Sequence, residues 1–438
     1  MAEMSLGLFH RPTGHHVAAW RHPEANTDGD FRHFAEMALI AEEACFDLLF
    51  CADIATLWEG SNASLSQLGT IARIDPFTLL SGLGAVTRRI GLVCTASTTY
   101  DEPFHVARRF ASLDYATGGR AGWNLVTSAH EAEALNFGKD MHLPKSERYR
   151  RAREFASVVR GLWDSWEPDA FTRDKASALF FDPAKLHVLN HRGDHFRVRG
   201  PLNVPPSPQH HPIMVQAGAS DEGRDLAAET ADVIFTASTS IEGAKEFYSD
   251  IKRRLGAYKR EPEDLKIMPG LNPVVGRTLE EAQAKHQQLQ DLIPAAVGLK
   301  MLSHYMGVDL TSCAEDDRLP ELPQTQVGKV TRADLLAELA RREDLTIRQL
   351  YQRVAGARGH FQIVGTPESI VDMMQEWFEC GAADGFNIMP SVYPSGLQDF
   401  VGMIMPELRR RGLYKAAYAG STLREHRRLK SPRRRFAS

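Results

Sequence analysis

The sequence predicts an α/β protein, a (β/α)8 TIM barrel, and three observations predict it. Eight short apolar runs mark the chain, each four to seven residues long and mostly without internal polar alternation. Such runs fit strands buried on both faces of a parallel sheet. Amphipathic segments of helical length follow them, so strand-then-helix repeats along the chain. Finally, 438 residues with 43% hydrophobic and 25% charged side chains can bury one large core. Eight such units close a barrel; an open doubly wound sheet is the alternative that the count leaves open.

The elements run as follows. Ser5–His10 leads to a helix over Asp30–Ala44, and Phe46–Ala52 to one over Pro76–Thr87. Ile90–Ala96 precedes Pro103–Tyr115, and Ala121–Thr127 precedes Ser146–Trp163. Ile213–Ala217 is followed by Asp221–Thr230, and Val233–Thr236 by Ile241–Tyr258. Leu265–Met268 is the seventh strand, Pro367–Cys380 its distant helix, and Gly385–Met389 with Gln398–Arg411 the last unit. Two stretches break the repeat and read as insertions, about 168–209 after strand four and 283–359 after strand seven. Residues 1–422 are thus expected to form one barrel domain. The basic segment 423–438 reads as a solvated or subunit-packing tail, with an arm for an anionic partner as its alternative.

Composition excludes several classes. Lys+Arg is 52 and Asp+Glu is 56, so no global basic field exists to hold nucleic acid. The five cysteines make an odd set without a CxxC spacing, which disfavours a disulfide framework and a Cys-rich zinc site. Neither a signal peptide nor a membrane-spanning run is evident. The expectation is a cytoplasmic protein.

In a barrel the chemistry gathers at the C-terminal ends of the strands. Those ends offer His10, His15, His16 and Trp20, then Asp53, then Thr95–Tyr100, Trp123–Ser128 and Gln216–Ser220. Amides and hydroxyls dominate. Asp53 has no acidic companion at a neighbouring strand end, which argues against a glycosidase. No converging His/Asp set suggests a metal, so none is expected. A P-loop or Gly-rich dinucleotide fingerprint is absent. The passage Gln216–Arg224 runs from strand into helix; Gly218 permits a close turn, and Ser220 with the free amides of the helix start suits a phosphate. A plain Ser cap on a structural helix fits it equally well.

One string carries a resemblance. Residues 117–128, TGGRAGWNLVTS, are similar to the signature of bacterial-luciferase-like flavin monooxygenases. The resemblance is to the branch holding the nitrilotriacetate, dibenzothiophene-sulfone and long-chain alkane monooxygenases. Further blocks agree in order: 14–23 (GHHVAAWRHP), 96–114 (ASTTYDEPFHVARRFASLD), 147–155 (ERYRRAREF), 216–224 and 383–390 (ADGFNIMP). The resemblance spans most of the chain, from about residue 5 to 415.

The resemblance implies a barrel that binds FMN and receives it already reduced from a separate NAD(P)H-dependent flavin reductase. Reduced flavin and O2 would then oxygenate a small organic substrate, with the cofactor carrying the hard step. By motif, Asp53 would lie near the flavin ring, Thr95 would line it, and Tyr149 and Ser220 would hold the phosphate end. Relatives commonly carry a His four residues before the Tyr; here that position is Lys145, a point charge able to reach a phosphate. His304, in LSHYMG, and His15 are the candidates to move a proton or stabilise the oxygenated cofactor. A homodimer or homotetramer is expected from the relatives. Two rival readings stand beside this one: a deazaflavin-dependent hydride-transfer oxidoreductase on the same barrel, and a non-catalytic flavin-binding subunit. The substrate is not legible; Phe9, Trp20 and Trp58 lean towards an apolar one.

Overall fold

A computed structural model describes residues 3–57, 65–320, 332–356 and 359–432. Trp58 lies outside the described residues. Eight parallel strands close the expected barrel: β1 (Ser5–Phe9), β2 (Leu48–Cys51), β3 (Gly91–Ser97), β4 (Ala121–Val126), then, past a small hairpin β5–β6 (His191–Arg192, Arg197–Val198), β7 (Ile213–Gln216), β8 (Val233–Thr236), β9 (Lys266–Val275) and β11 (Gly385–Ile388). β9 pairs with both β8 and β11, which closes the ring and removes the open-sheet alternative.

The outer ring follows the sequence pattern closely. It comprises α1 (Phe31–Glu43), α2 (Pro76–Val86), α3 (Pro103–Thr117), α4 (Lys145–Trp163), α5 (Asp221–Thr230) and α6 (Ile241–Leu255). Their starts are chemically marked. Asp30, Asp75, Ser220 and Ser240 each accept an amide of the first turn, and Pro76 and Pro103 stand at first-turn positions. Inside the ring, Phe9, Phe50 and Phe235 pack mutually edge-on or tilted, with centroids 5.0 to 5.4 Å apart. This aromatic triad makes the barrel a filled core rather than a pore. Phe9 therefore belongs to that core.

The seventh strand is longer than expected. The apolar run Leu265–Met268 predicts a short strand, but β9 continues to Val275 through Pro269 and Pro273. Its first half pairs with β8; its second half pairs with a ninth strand, β10 (Phe361–Gly365). The sequence predicts no strand at β10, because FQIVG carries neither clean alternation nor a purely apolar run.

The insertion at 283–359 contains most of α7 (Leu279–Asp291), then α8 (Ala295–Met306), α9 (Arg332–Arg342) and α10 (Ile347–Ala355). These helices build a second apolar core, with Leu302, Ile347, Leu350 and Tyr351 buried, and it reaches Val17 and Ala18 of the β1–α1 loop. The 168–209 insertion is mostly irregular and carries the β5–β6 hairpin. Helix α11 (Pro367–Glu379) and a final helical stretch from Ser395 to Arg410 complete the wall.

The boundary drawn at 422 needs correcting. Leu423–His426 forms a short helix beneath the barrel, and Leu423, Arg424, His426 and Arg427 are buried. Leu423 sits against Gly91, where a Cβ would come within 2.4 Å of it, and Arg424 pairs with Asp232 at 3.2 Å. The segment's charge marked it as solvated, yet its basic groups neutralise acids at the strand beginnings. No described helix is long and apolar enough to cross a membrane.

Candidate functional site

A cavity of about 290 Å3 opens at the C-terminal ends of β2, β4 and β7. Its wall is built from Asp53 after β2, from 125–130 at the end of β4 and beyond it, from Glu133, from Tyr149 on α4, and from Gln216–Gly218, Gly223 and Leu226. These residues come from the last positions of the strands and from the loops and helices that follow them, the end of a barrel that holds its chemistry.

The strand ends are cross-tied. Glu133 is buried and its Oε1 accepts the Ala55 amide at 3.1 Å, which joins the β4 loop to the β2 loop. Gln216 donates to Thr230 Oγ1 at 2.6 Å, which fixes the end of β7 on α5. Arg148 donates to the carbonyls of Thr127 and Ser128, and Ser128 meets Ser97 hydroxyl to hydroxyl at 2.9 Å. Arg148 was not singled out from the sequence; its place one residue before Tyr149 on a helix facing the strand ends is the signal that points to it.

At the α5 end, Ser220 Oγ accepts the Gly223 amide at 3.3 Å and donates to Tyr149 Oη at 3.4 Å. A Cβ on Gly223 would lie 3.0 Å from Tyr149 Oη and 3.1 Å from Gly218 Cα. The two glycines thus leave a backbone cradle that any side chain would fill. Around it stand two hydroxyls and the first amides of α5, a donor set that suits a phosphate. Lys145, at the first turn of α4, pairs with Glu222 at 3.0 Å and lies half exposed at the outer edge of this cradle.

Thr95 lies deeper, on β3. Its hydroxyl donates to the Cys51 carbonyl at 2.7 Å and accepts from Asn124 Nδ2 at 2.8 Å, so it bridges β2, β3 and β4. Asn124 Oδ1 is buried without a hydrogen-bond partner, one residue before the cavity wall begins. A buried acceptor left open in this way implies a missing donor. The residues present therefore fit FMN at both ends: donors and a glycine cradle for its phosphate, and an open acceptor among the strand ends.

Asp53 titrates higher than an ordinary aspartate. Burial is the main cause, and the nearby Asp75 and Glu133 add to it against the Ile54 amide and Arg73. The two candidate histidines differ. His15 is buried, with Nε2 2.7 Å from the Phe9 carbonyl and its ring edge-on to Phe9 at 4.6 Å. His304 is exposed on α8, beside Tyr305. Neither lines the cavity. The structure brings Asp53, Tyr149 and, through the hydroxyl contact, Ser220 together; Thr95 lies within the strands and Lys145 on the rim. Trp20 is partly buried and donates to the Gln67 carbonyl at 2.9 Å.

Comparison with known proteins fits this geometry. Residues 10–384 match the luciferase-like monooxygenase family model. The N-acetyl-S-(2-succino)cysteine monooxygenase of Bacillus subtilis (strain 168) is 50% identical, over 99% of this chain and 98% of its own. Nitrilotriacetate monooxygenase component A of Aminobacter aminovorans is 47% identical, over 99% of this chain and 98% of its own. The crystal structure of a long-chain alkane monooxygenase superposes with a TM-score of 0.86 at 32% identity, over 98% of this chain and 96% of that one. By its sequence, its closed barrel and the cavity at its strand ends, this chain belongs to the luciferase-like monooxygenase family.

Proposed function

We propose that the cavity at the ends of β2, β4 and β7 is the FMN site of the oxygenase half of a two-component system. The enzyme is a flavin-dependent monooxygenase; it takes reduced FMN from a separate NAD(P)H-dependent flavin reductase and oxygenates a small organic substrate at a C–S, C–N or C–H bond. The single observation that carries the site is the Tyr149–Ser220 contact beside the Gly218/Gly223 cradle. Bound reduced flavin supplies the activation of O2. The chain's own residues bind, orient and shelter. Tyr149, Ser220 and the first amides of α5 hold the phosphate; Lys145 adds a cation at its rim. Asp53 and Thr95 stand towards the ring, and the β2 and β4 loops tied by Glu133 keep water from it. Proton handling is assigned to His15, buried behind Phe9, in preference to the exposed His304.

The substrate in this reading is a carboxylated thioether or amine. Two relatives near 50% identity are named for acids of that kind. A second support is local: Arg11 and Arg73 line a small hollow of about 40 Å3 together with His10 and Ala52, one residue from Asp53. Guanidinium pairs are suited to carboxylates. This reverses the apolar lean of the sequence reading, in which Phe9 is now core and Trp20 bonds to a loop. In this reading the enzyme works in the cytoplasm as a homodimer or homotetramer; Leu135, Phe137 and Met141, exposed in the segment after β4, support self-association.

The test combines the purified chain with a flavin reductase, FMN, NADH and O2. N-acetyl-S-(2-succino)cysteine, nitrilotriacetate and dibenzothiophene sulfone are then offered in turn. Oxygenated product from one of the acids is expected. Turnover of the sulfone alone would overturn the substrate class. Turnover with a reduced deazaflavin without O2, or tight FMN binding with no O2 reaction, would overturn the oxygenase reading.

A further inference from the structure

The barrel has a second cluster of reactive side chains at its opposite end. Asp164 follows α4 directly, and His210 and His211 run into β7, so all three lie on the N-terminal side, away from the flavin cavity. His211 Nε2 lies 2.9 Å from Asp164 Oδ1, and His210 Nε2 lies 3.0 Å from the same oxygen. One ligand atom from each residue falls within 4.8 Å of the other two.

Adjacent histidines do not converge by default. Along an extended chain, neighbouring side chains point to opposite faces. Here His210 adopts a φ of 67°, in the left-handed region that non-glycine residues rarely enter. That turn brings both imidazoles to the same side, stacked with centroids 4.6 Å apart and planes 16° apart. Local strain of this kind persists only where surrounding structure enforces it. The turn is held by the His210 amide on the Ser207 carbonyl at 2.8 Å, and Ser207 in turn is bound to the buried Asp114.

The hydrogen bonding is incomplete. His211 makes a proper bond to Asp164. His210 Nε2 is buried and close to the same carboxylate, but its angle makes no hydrogen bond. Two imidazole nitrogens gathered on one carboxylate oxygen suit a shared ion.

We propose that Asp164, His210 and His211 form a binding site for a divalent transition metal of the zinc class, on the barrel floor and separate from the flavin site. Two imidazoles and one carboxylate are ligands that zinc takes. With metal–ligand bonds of about 2.0–2.2 Å, ligands around one tetrahedral ion stand roughly 3.3 Å apart, so the observed spacings need only small adjustment. Binding moves the Nε2 proton of His211 to Nδ1 or to solvent. A cavity of about 500 Å3, which His211 helps to line, gives access and room for water as a fourth ligand. The ion would fasten the end of α4 to the start of β7, across the 168–209 insertion.

The test uses the full-length enzyme, stripped with chelator and then titrated with zinc. Calorimetry and elemental analysis after desalting should give one zinc per chain. Thermal unfolding should move up by several degrees with micromolar zinc. His210→Ala, at a partly exposed position, should lose the bound zinc and the thermal shift while FMN binding stays unchanged. Cobalt(II) should show visible d–d absorption in the wild type that Asp164→Asn removes. Absence of stoichiometric zinc in the wild type would overturn the site. Zinc retained equally by His210→Ala would overturn it as well, since another of the chain's histidines would then hold the metal.

Discussion

Ser220 Oγ donates to Tyr149 Oη at 3.4 Å while it also accepts the Gly223 amide, so one serine both caps α5 and fixes a phenol carried by α4. The two functions separate by measurement. Ser220→Ala removes a cap worth about 1 kcal/mol of stability. It also removes a donor to phosphate, and a hydrogen bond to a charged group is worth roughly tenfold or more in affinity. FMN affinity should therefore fall about that far in Ser220→Ala and in Tyr149→Phe, whereas riboflavin, which lacks the phosphate, should bind as it does to the wild type. Equal loss for both flavins would show that the hydroxyls act on the fold alone.

Gly223→Ala tests the cradle itself. The added methyl would meet Tyr149 Oη at 3.0 Å and Gly218 Cα at 3.1 Å. Alanine favours a helix more than glycine does, by roughly 1 kcal/mol in an interior position. The variant should therefore remain folded, with a melting temperature near the wild type, and lose FMN binding more than tenfold by fluorescence titration.

The ammonium of Lys145 is committed to Glu222 at 3.0 Å. Both side chains are about half exposed, so the pair adds little stability. Glu222→Gln should release the lysine towards the phosphate and tighten FMN several-fold at low salt, with the gain fading as salt rises. Lys145→Ala should weaken FMN less than Ser220→Ala does. A neutral result for Glu222→Gln would place Lys145 outside the phosphate site.

His10 is buried against Phe34 and Tyr393, and burial pushes its pKa down from 6.5 to about 4. Between pH 6.5 and about 4 the unfolded chain takes up a proton that the folded chain refuses, so stability falls as pH falls through that window. The shift amounts to roughly 3 kcal/mol at full extent. His10→Asn should flatten the decline of melting temperature between pH 7 and 4. An unchanged slope would assign the acid sensitivity to other groups.

The barrel was legible because its strands are buried on both faces and its helices start at Asp, Ser and Pro. The strand β10 was not, since Phe361–Gly365 gains its place only by pairing with the far half of β9. The C-terminal segment misled for a related reason: the charge of Arg424 marks solvent unless a partner such as Asp232 is known to lie below the barrel. At the candidate site, the motif blocks and strand ends point to Asp53, Tyr149 and Ser220, and the structure sets Asp53 and Tyr149 in one cavity wall with Ser220 against Tyr149. Arg148, Glu133 and the open Oδ1 of Asn124 were not legible, because their importance lies in contacts between strands distant in sequence. The same holds for Asp164 and the histidine pair, separated by 46 and 47 residues. Only the left-handed turn at His210 aims both rings one way.

The most direct test of the flavin site is a crystal structure of the enzyme grown with saturating FMN. The phosphate should lie within hydrogen-bond distance of Tyr149 Oη, Ser220 Oγ and the first amides of α5, with the ring on the side of Asp53 and Thr95. Flavin anchored on any other element, or a cradle left empty at saturation, would contradict the assignment.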